Sequence, residues 1–284
     1  SININLLFIA LIIPRYIKDK NIIKVTTGIR RCGKSTLYTQ FINYLKSTGI
    51  PDNQIIHLRL TDGEHDDIVE HSDLYHYIMN RLTPDQTNYV FVDEVQEVNN
   101  FEKAVNSLYE KDNIDLYITG SNSKLLSSEL ATLLTGRYIE IKMLPLSFRE
   151  YVSVKGEGDL MRKYNDYITQ TSFPGAIDFD DTRGIRMYLD GIYSSIVLKD
   201  VVQRFKINDV ASLNRVARYM YDNIGNGYSA ANIATALNTD GKTISVPTVD
   251  NYIEALKSAY ILYGARRYDI KGKTYFNYPN KYYY

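Results

Sequence analysis

Short apolar runs and segments with helical spacing alternate through the first half of the chain. The runs predicted to be strands are 22–27, 54–60, 89–92, 115–120 and 138–141, the last of which alternates like an edge strand. Apolar residues elsewhere recur every three or four positions, which predicts helices near 37–45, 74–82, 101–110 and 124–134. Strands that alternate with helices of this length favour a parallel sheet with helices on both faces. The pattern therefore predicts an α/β fold.

The pattern changes after Pro145. A capping box at 147–150 starts a helix, and helical spacing then continues to about residue 208. Three helices and a hairpin follow, with the hairpin strands predicted at 261–268 and 274–278. Three helices followed by a hairpin are typical of a winged helix. We therefore predict three parts: a core over 1–145, a helical lid or linker over 146–208, and a winged-helix domain over 209–284.

Composition narrows the class of protein without identifying a partner. The 33 Lys and Arg residues balance the 33 Asp and Glu residues, so no overall charge favours a polyanion. Residues 199–284 nevertheless contain 12 basic and 7 acidic residues, a net charge of +5 that leaves −5 for the remainder. This asymmetry favours different partners for the two parts. The single cysteine excludes an internal disulfide, which fits the cytoplasmic location that we expect.

The apolar stretch Leu6–Ile13 is too short to span a bilayer. It has no basic segment before it and no small-residue cleavage site after it, so a signal peptide is not expected. We interpret the stretch as an element that covers the core at the domain edge. The sequence therefore predicts no membrane partner.

Residues 28–35 read G-I-R-R-C-G-K-S, the GxxxxGK[ST] pattern of a phosphate-binding loop, or P-loop. A predicted strand precedes the pattern and a predicted helix follows it, which favours a phosphate site over a glycine turn that contains Lys-Ser by chance. Backbone N–H groups and the positive end of the helix would face a polyphosphate. Lys34 would reach its β- and γ-phosphates, and the Ser35 hydroxyl would bind Mg²⁺. The residues predicted to contact the nucleotide here are Gly28, Ile29, Arg30, Arg31, Cys32, Gly33, Lys34, Ser35 and Thr36.

Three of these loop residues leave alternatives open. Arg30 and Arg31 would either contact phosphate or point to the domain surface. Cys32 would be structural, or its thiol pKa would be lowered by Lys34 and by the helix N-terminus.

Asp93 and Glu94 follow a hydrophobic strand, one β-α-β-α unit after the loop. Mg²⁺ prefers carboxylate and water oxygens, so Asp93 is predicted to hold it directly or through water. Glu94 would act as general base on the attacking water. An acidic pair alone would equally fit a solvated loop, and it is the P-loop that favours the catalytic interpretation.

Two further residues are candidates for catalysis. Asn122, preferred over Ser121, follows the next strand and would orient the water or touch the γ-phosphate; the alternative is a turn and helix cap. Arg137 follows a predicted helix and would act as an arginine finger on the nucleotide of a neighbouring subunit, which requires a homo-oligomer. The alternative is a surface arginine that interacts with the helix dipole.

Five motifs in order resemble one family from Ile22 to the end of the chain. They are T-G-I-R-R-C-G-K-S-T-L, F-V-D-E-V-Q, T-G-S-N-S, L-T-G-R-Y and L-P-L-S-F-R-E-Y. The sequence is similar to the bacterial and archaeal AAA-type P-loop ATPases that carry an ATPase core, a winged helix and a C-terminal domain of uncharacterised function. The resemblance implies ATP with Mg²⁺, and no NKxD motif argues for GTP.

The resemblance also implies roles for single residues. It places Arg137 at the arginine-finger position and Pro174 in the helical lid, against the nucleotide. Arg204 matches a recurring arginine whose role it does not specify. Members usually continue beyond a K-Y-Y segment into a further domain, and the sequence leaves open whether this chain is a short form or lacks that part.

The function predicted first is an ATPase that converts hydrolysis into a conformational change, coupled to DNA through the winged helix. The helix 248–257 offers Asn251 and Lys257, although Asp250 and Glu254 oppose phosphate. More favourable basic residues are Arg266, Arg267, Lys271, Lys273 and Lys281. The alternative is a nucleotide-gated switch with slow hydrolysis that binds a protein partner according to ATP or ADP. A small-molecule kinase is the weakest hypothesis, since no acceptor pocket is evident.

Overall fold

The computed structural model describes residues 20–121, 125, 134, 136–177, 179, 181–227, 229–238, 243–265 and 281–283. The chain divides into two compact units, residues 1–190 and 191–284. The predicted three-part division at 145 and 208 stays a prediction. The predicted element Leu6–Ile13 and most of the predicted helix 124–134 lie outside the described residues.

Five parallel strands form the sheet of the first unit, in the order β2-β3-β4-β1-β5. Their bounds are β1 Ile23–Thr27, β2 Ile55–Arg59, β3 Asn88–Asp93, β4 Ile114–Gly120 and β5 Tyr138–Lys142. Thr27 pairs with Gly120, and Arg59 pairs with Asp93, so the strands end at one common edge. The predicted parallel sheet is confirmed, and β5 is an edge strand as expected.

Helices cover both faces of this sheet. Where the structure describes the first unit, the α-helices that begin there are α1 Lys34–Ser47, α2 His71–Met79, α3 Phe101–Tyr109, α4 Phe148–Lys155, α5 Leu160–Thr169 and α6 Thr182–Ser195. Side chains of α1 pack with Phe91 and Tyr117 on one face. Side chains of α2 and α3 pack with Val90 and Ile118 on the other face. Neighbouring strand residues point to opposite faces, so each strand contributes to both cores.

The segment after the sheet is helical, as the spacing predicts. Ser147 and Glu150 form the capping box at the start of α4, because each side chain binds the other residue's backbone N–H. Leu146, Tyr151 and Ile177 form a small core there. A short 3-10 turn, Pro174–Ala176, lies between α5 and α6.

The described part of the second unit contains a π-helix, three α-helices and a strand pair. Their bounds are Ile196–Gln203 for the π-helix, α7 Val210–Asp222, α8 Ala230–Leu237, α9 Val246–Ser258, β6 Tyr263–Ala265 and β7 Lys281–Tyr283. The two strands are antiparallel, and Gly227 between α7 and α8 bridges to Lys281. The return strand predicted at 274–278 lies outside the described residues, whereas the strand that pairs with β6 is β7.

Each α-helix described in the second unit begins at a side-chain cap, whereas the π-helix has none. Asp209, Ser229 and Ser245 accept hydrogen bonds from the backbone three residues ahead, at the starts of α7, α8 and α9. Among the described helices, none combines the length and the apolar character that crossing a membrane requires.

Candidate functional site

The glycine loop leaves the carboxyl end of β1 and enters α1. A Cβ atom on Gly28 would lie 2.3 Å from the Met143 carbonyl oxygen, so only glycine fits this close approach. Gly33 has φ 109°, in the left-handed region, and is the N-terminal boundary residue of α1. The loop therefore turns tightly at both ends and presents the start of α1 to the carboxyl edge of the sheet.

Lys34 is the buried cation of this loop. Only 4% of its surface is exposed, and its Nζ donates to the carbonyl oxygens of Gly28 at 3.0 Å and Ile29 at 3.3 Å. The same Nζ lies 3.5 Å from Oε1 of Glu94. Lys34 thus folds back over the loop and joins it to the end of β3.

Asp93 and Glu94 are held by a threonine of the neighbouring strand. The Thr119 hydroxyl donates to Oδ1 of Asp93 and accepts the backbone N–H of Glu94 at 2.9 Å. Asp93 and Thr119 are buried, and Glu94 has left-handed backbone angles at the point where β3 ends. One hydroxyl therefore fixes both acidic residues relative to β4.

Four neighbours stabilise the carboxylate form of Glu94. Burial acts to raise its pKa, but the charge of Lys34, the hydrogen bond from Gln96, the charge of Arg30 and the hydrogen bond from Ser121 hold the pKa below its usual range. Glu94 is consequently ionised at neutral pH and available to accept a proton.

The other loop residues differ in exposure. Burial raises the pKa of the Cys32 thiol more than Lys34 lowers it, so the alternative of a lowered pKa is wrong and the structural interpretation of Cys32 fits. The thiol lies in the core under α1. Arg31 is exposed with φ 66°, whereas the charge of Arg30 acts on Glu94.

Oxygen ligands suited to Mg²⁺ lie on the elements that the sequence predicts. Ser35 is exposed on the first turn of α1, beside Thr36, and Asp93 ends β3. Among the described residues, no cluster of three or more His, Cys, Asp or Glu side chains forms a metal site of its own. A hydroxyl and one carboxylate fit an ion that also takes phosphate and water oxygens.

Pro174 lies beside the loop, and Arg137 does not. A Cβ atom on Gly33 would lie 3.9 Å from Cγ of Pro174, which places the Pro174–Ala176 turn next to the start of α1. Arg137 is exposed, donates to Oδ1 of Asn106 at 3.1 Å and precedes β5. Because Tyr138 pairs with Ile23, Arg137 is at the amino edge of the sheet, roughly 13 Å of strand away from the loop.

Two predicted residues stand apart from this cluster. Asn122 lies outside the described residues. Arg204 belongs to the second unit, where it follows the π-helix, and its Nη1 is buried without a hydrogen-bond partner.

The sequence interpretation missed Thr119 and Gln96. Thr119 stands in the same strand-end motif that suggested Asn122, and the rule that ligands bind at strand ends applies to it equally. Ser121 was set aside in favour of Asn122. Gln96 had no signal of its own beyond its closeness to Glu94.

A glycine loop between a strand and a helix, at the carboxyl edge of a parallel sheet, defines the α/β P-loop nucleoside triphosphatase fold. Family models agree: an AAA domain matches residues 20–152, and a domain of unknown function matches residues 161–284. An uncharacterised protein of Haemophilus influenzae is 36% identical over 271 residues, covering 94% of this chain and 68% of that protein. The chain belongs to the AAA-type P-loop ATPases.

Other similarities are more distant. An uncharacterised protein of Methanocaldococcus jannaschii is 30% identical over 274 residues, covering 89% of this chain and 58% of that protein. The structure of Aeropyrum pernix ORC2 (ADPNP-ADP complexes) has a TM-score of 0.47 and 10% identity, with coverage of 92% and 85%. Aeropyrum pernix ORC1 in complex with DNA has a TM-score of 0.39 and 10% identity, with coverage of 97% and 86%.

Proposed function

We propose that the chain binds ATP with Mg²⁺ and hydrolyses it to ADP and phosphate. The observation that carries this proposal is the 3.5 Å contact between Nζ of Lys34 and Oε1 of Glu94. It brings the cation of the glycine loop and an ionised carboxylate together at one edge of the sheet. A phosphate-binding group and a candidate base at one place are what hydrolysis of a phosphoanhydride needs.

The reaction assigns a separate role to each residue. Phosphate oxygens would draw Lys34 from the carbonyl groups of Gly28 and Ile29, and Ser35 with Asp93 would hold the metal ion. The ion would offset the charge that develops on the phosphates. Glu94 would take a proton from a water molecule while the oxygen of that water bonds to the γ-phosphorus. The bond from that phosphorus to the bridging oxygen breaks, and ADP leaves.

The turn at Pro174 is the segment through which we propose that nucleotide binding changes the conformation of the chain. Pro174 lies beside Gly33, and the backbone N–H of Leu146 donates to the Ser172 carbonyl at 2.9 Å. A nucleotide that enters the loop would therefore meet a segment tied to the start of the helical region. We propose that gain and loss of the γ-phosphate move this segment, as lids move in other enzymes.

The partner of the second unit is proposed to be DNA, bound through a winged helix. Three helices and the β6–β7 pair among the described residues support this proposal, and Lys281 is exposed on β7. Helix α9 is the weaker contact, because its Lys257 is 2.6 Å from Glu254 and is already paired. The other basic residues predicted for this role, Arg266, Arg267, Lys271 and Lys273, lie outside the described residues.

Steady-state ATP hydrolysis with and without duplex DNA tests these proposals. Wild type should hydrolyse ATP only with Mg²⁺, and Glu94→Gln should remove turnover while ATP still binds. Glu97→Gln is the matched control, since Glu97 is exposed and three residues away. Equal loss in both variants would contradict the base role of Glu94.

The same experiment separates the two classes of function. Turnover that rises with DNA supports a DNA-coupled ATPase. Slow turnover that ignores DNA supports the nucleotide-gated switch, and a protein partner bound differently with ATP and ADP would then be sought.

A further inference from the structure

The Gln96 side chain lies directly against the carboxylate of Glu94. Its Nε2 donates to Oε2 of Glu94 and lies 3.4 Å from Oγ of Ser121. The left-handed backbone of Glu94 and the 3-10 turn Val95–Glu97 return Gln96 to the strand end that it has just left. The local backbone therefore brings Gln96 into contact with Glu94, although the two residues are only two positions apart.

The surrounding atoms fix the orientation of the Gln96 amide. Its Oε1 is buried without a hydrogen-bond partner, and a Cβ atom on Gly120 would lie only 2.9 Å from it. Turning the amide over would place this oxygen against the carboxylate of Glu94. In this orientation Oε1 of Gln96 has no hydrogen-bond partner, and Nε2 donates to the carboxylate of Glu94.

The two oxygens of Glu94 have different partners. Lys34 is 3.5 Å from Oε1, whereas Gln96 donates to Oε2. Only the first partner is also a predicted ligand of phosphate. When a triphosphate draws Lys34 away, Oε1 loses the contact with that cation, and Gln96 still holds Oε2.

We propose that Gln96 is a positioning residue, which keeps the Glu94 carboxylate in place for the attacking water after the nucleotide has taken Lys34. This inference rests on the proposed hydrolysis of ATP. Gln96 binds the Glu94 carboxylate and is not among the residues predicted to contact the nucleotide, so its removal should affect the turnover step and leave nucleotide binding intact.

The test compares Gln96→Leu, which removes the donor, with Gln96→Glu, which replaces it by an acceptor of the same shape. Both should lower kcat by about 10- to 100-fold, with KM changed less than about twofold. Gln86→Leu is the matched control, since Gln86 is an exposed amide in a loop, and it should retain wild-type turnover. Melting curves identify any variant that fails to fold.

A second measurement tests the contact without any turnover. The side-chain amide signals of Gln96 in a ¹⁵N–¹H spectrum of the full chain are assigned by their loss in Gln96→Leu. Glu94→Ala removes the acceptor and should shift these signals, but it should leave those of Gln86 unmoved. This readout also keeps the contact testable if Gln96→Leu is unstable.

Each outcome has a distinct meaning. Active wild type together with unchanged kcat in Gln96→Leu overturns the inference alone, as does a Gln96 amide signal that ignores Glu94→Ala. A raised KM at unchanged kcat also overturns it, because Gln96 would then be a binding residue. Inactive wild type overturns the proposed hydrolysis, and the role of Gln96 with it.

Discussion

Lys24 of β1 and Asp115 of β4 form an ion pair inside the sheet, with Nζ and Oδ1 2.5 Å apart. Their side chains are 1% and 6% exposed. The Tyr117 hydroxyl donates to the other oxygen of Asp115 at 2.9 Å, and Nζ of Lys24 lies 4.9 Å from the centre of the Tyr117 ring. The carboxylate is therefore satisfied by two donors on the α1 face of the sheet.

Breaking this pair should destabilise the fold. Lys24→Met leaves a buried carboxylate without its cation and should lower the free energy of unfolding by about 3–5 kcal/mol. The double variant Lys24→Met with Asp115→Leu should lose much less, since no charge is left unpaired. Chemical denaturation measures both values.

An exposed pair on the same unit supplies the control. Lys46 and Asp52 are 3.0 Å apart, but their side chains are 44% and 79% exposed. Lys46→Met should therefore change the free energy of unfolding by less than about 1 kcal/mol. A loss in Lys24→Met as small as this would contradict the importance of burial.

The Thr119 hydroxyl should matter for both stability and turnover. Thr119→Val keeps the shape but leaves Asp93 and the N–H of Glu94 without their common partner. The free energy of unfolding should fall by about 1–3 kcal/mol, and kcat should fall as well. Thr119→Ser keeps the hydroxyl and should retain most of both. Equal behaviour of the two variants would exclude the hydroxyl as the cause.

Alanine should be harmful at one glycine of the first unit and favourable at another glycine. In Gly28→Ala the new Cβ would overlap the Met143 carbonyl oxygen, so the loop must shift, and ATP affinity should fall by about tenfold or more. In Gly191→Ala the new Cβ meets nothing within 4 Å on α6, and stability should rise by about 0.5–1 kcal/mol. Isothermal titration and thermal melting measure the two effects. Unchanged affinity in Gly28→Ala would show that the loop adapts.

The sequence predicts the sheet well because its strands are buried apolar runs. Four predicted strands agree with β1 to β4 within about two residues, and the edge position of β5 follows from its alternating pattern. The P-loop is recognisable because its glycines, lysine and serine are adjacent in sequence. Local patterns of this kind carry their own structural information.

Contacts between distant segments could not be predicted in this way. Lys24 and Asp115 are 91 positions apart. A charged residue in an apolar strand does not indicate which distant residue it will pair with. The hydrogen bonds of Thr119 to Asp93 and Glu94 form because β3 and β4 are neighbours in the sheet. That adjacency is known only from the strand order. The sequence leaves two alternatives for Cys32, and only the structure shows that burial outweighs the nearby charge of Lys34.

Arg137 has two interpretations, an arginine finger for a neighbouring subunit and a surface arginine, and a substitution distinguishes them. Its guanidinium lies 5.3 Å from the ring of Tyr109 at the amino edge of the sheet, so it cannot act on the nucleotide of its own loop. If it is an arginine finger for a neighbouring subunit, Arg137→Ala should lower kcat on the order of 10³-fold. Arg81→Ala is the matched control, because Arg81 is also exposed and stacks on Tyr77 at 3.5 Å. Equal activity of the two variants would leave Arg137 as a surface residue.

Mixing two inactive variants tests whether a site is shared between subunits. In Arg137→Ala every site keeps Glu94, and in Glu94→Gln every subunit keeps Arg137. Mixed assemblies would contain some sites with an intact Glu94 facing an intact Arg137 of a neighbour. The mixture should therefore hydrolyse ATP faster than either variant alone, and sedimentation should show an assembly larger than one chain. Additive activities in a mixture that does form assemblies would mean that each subunit completes its own site.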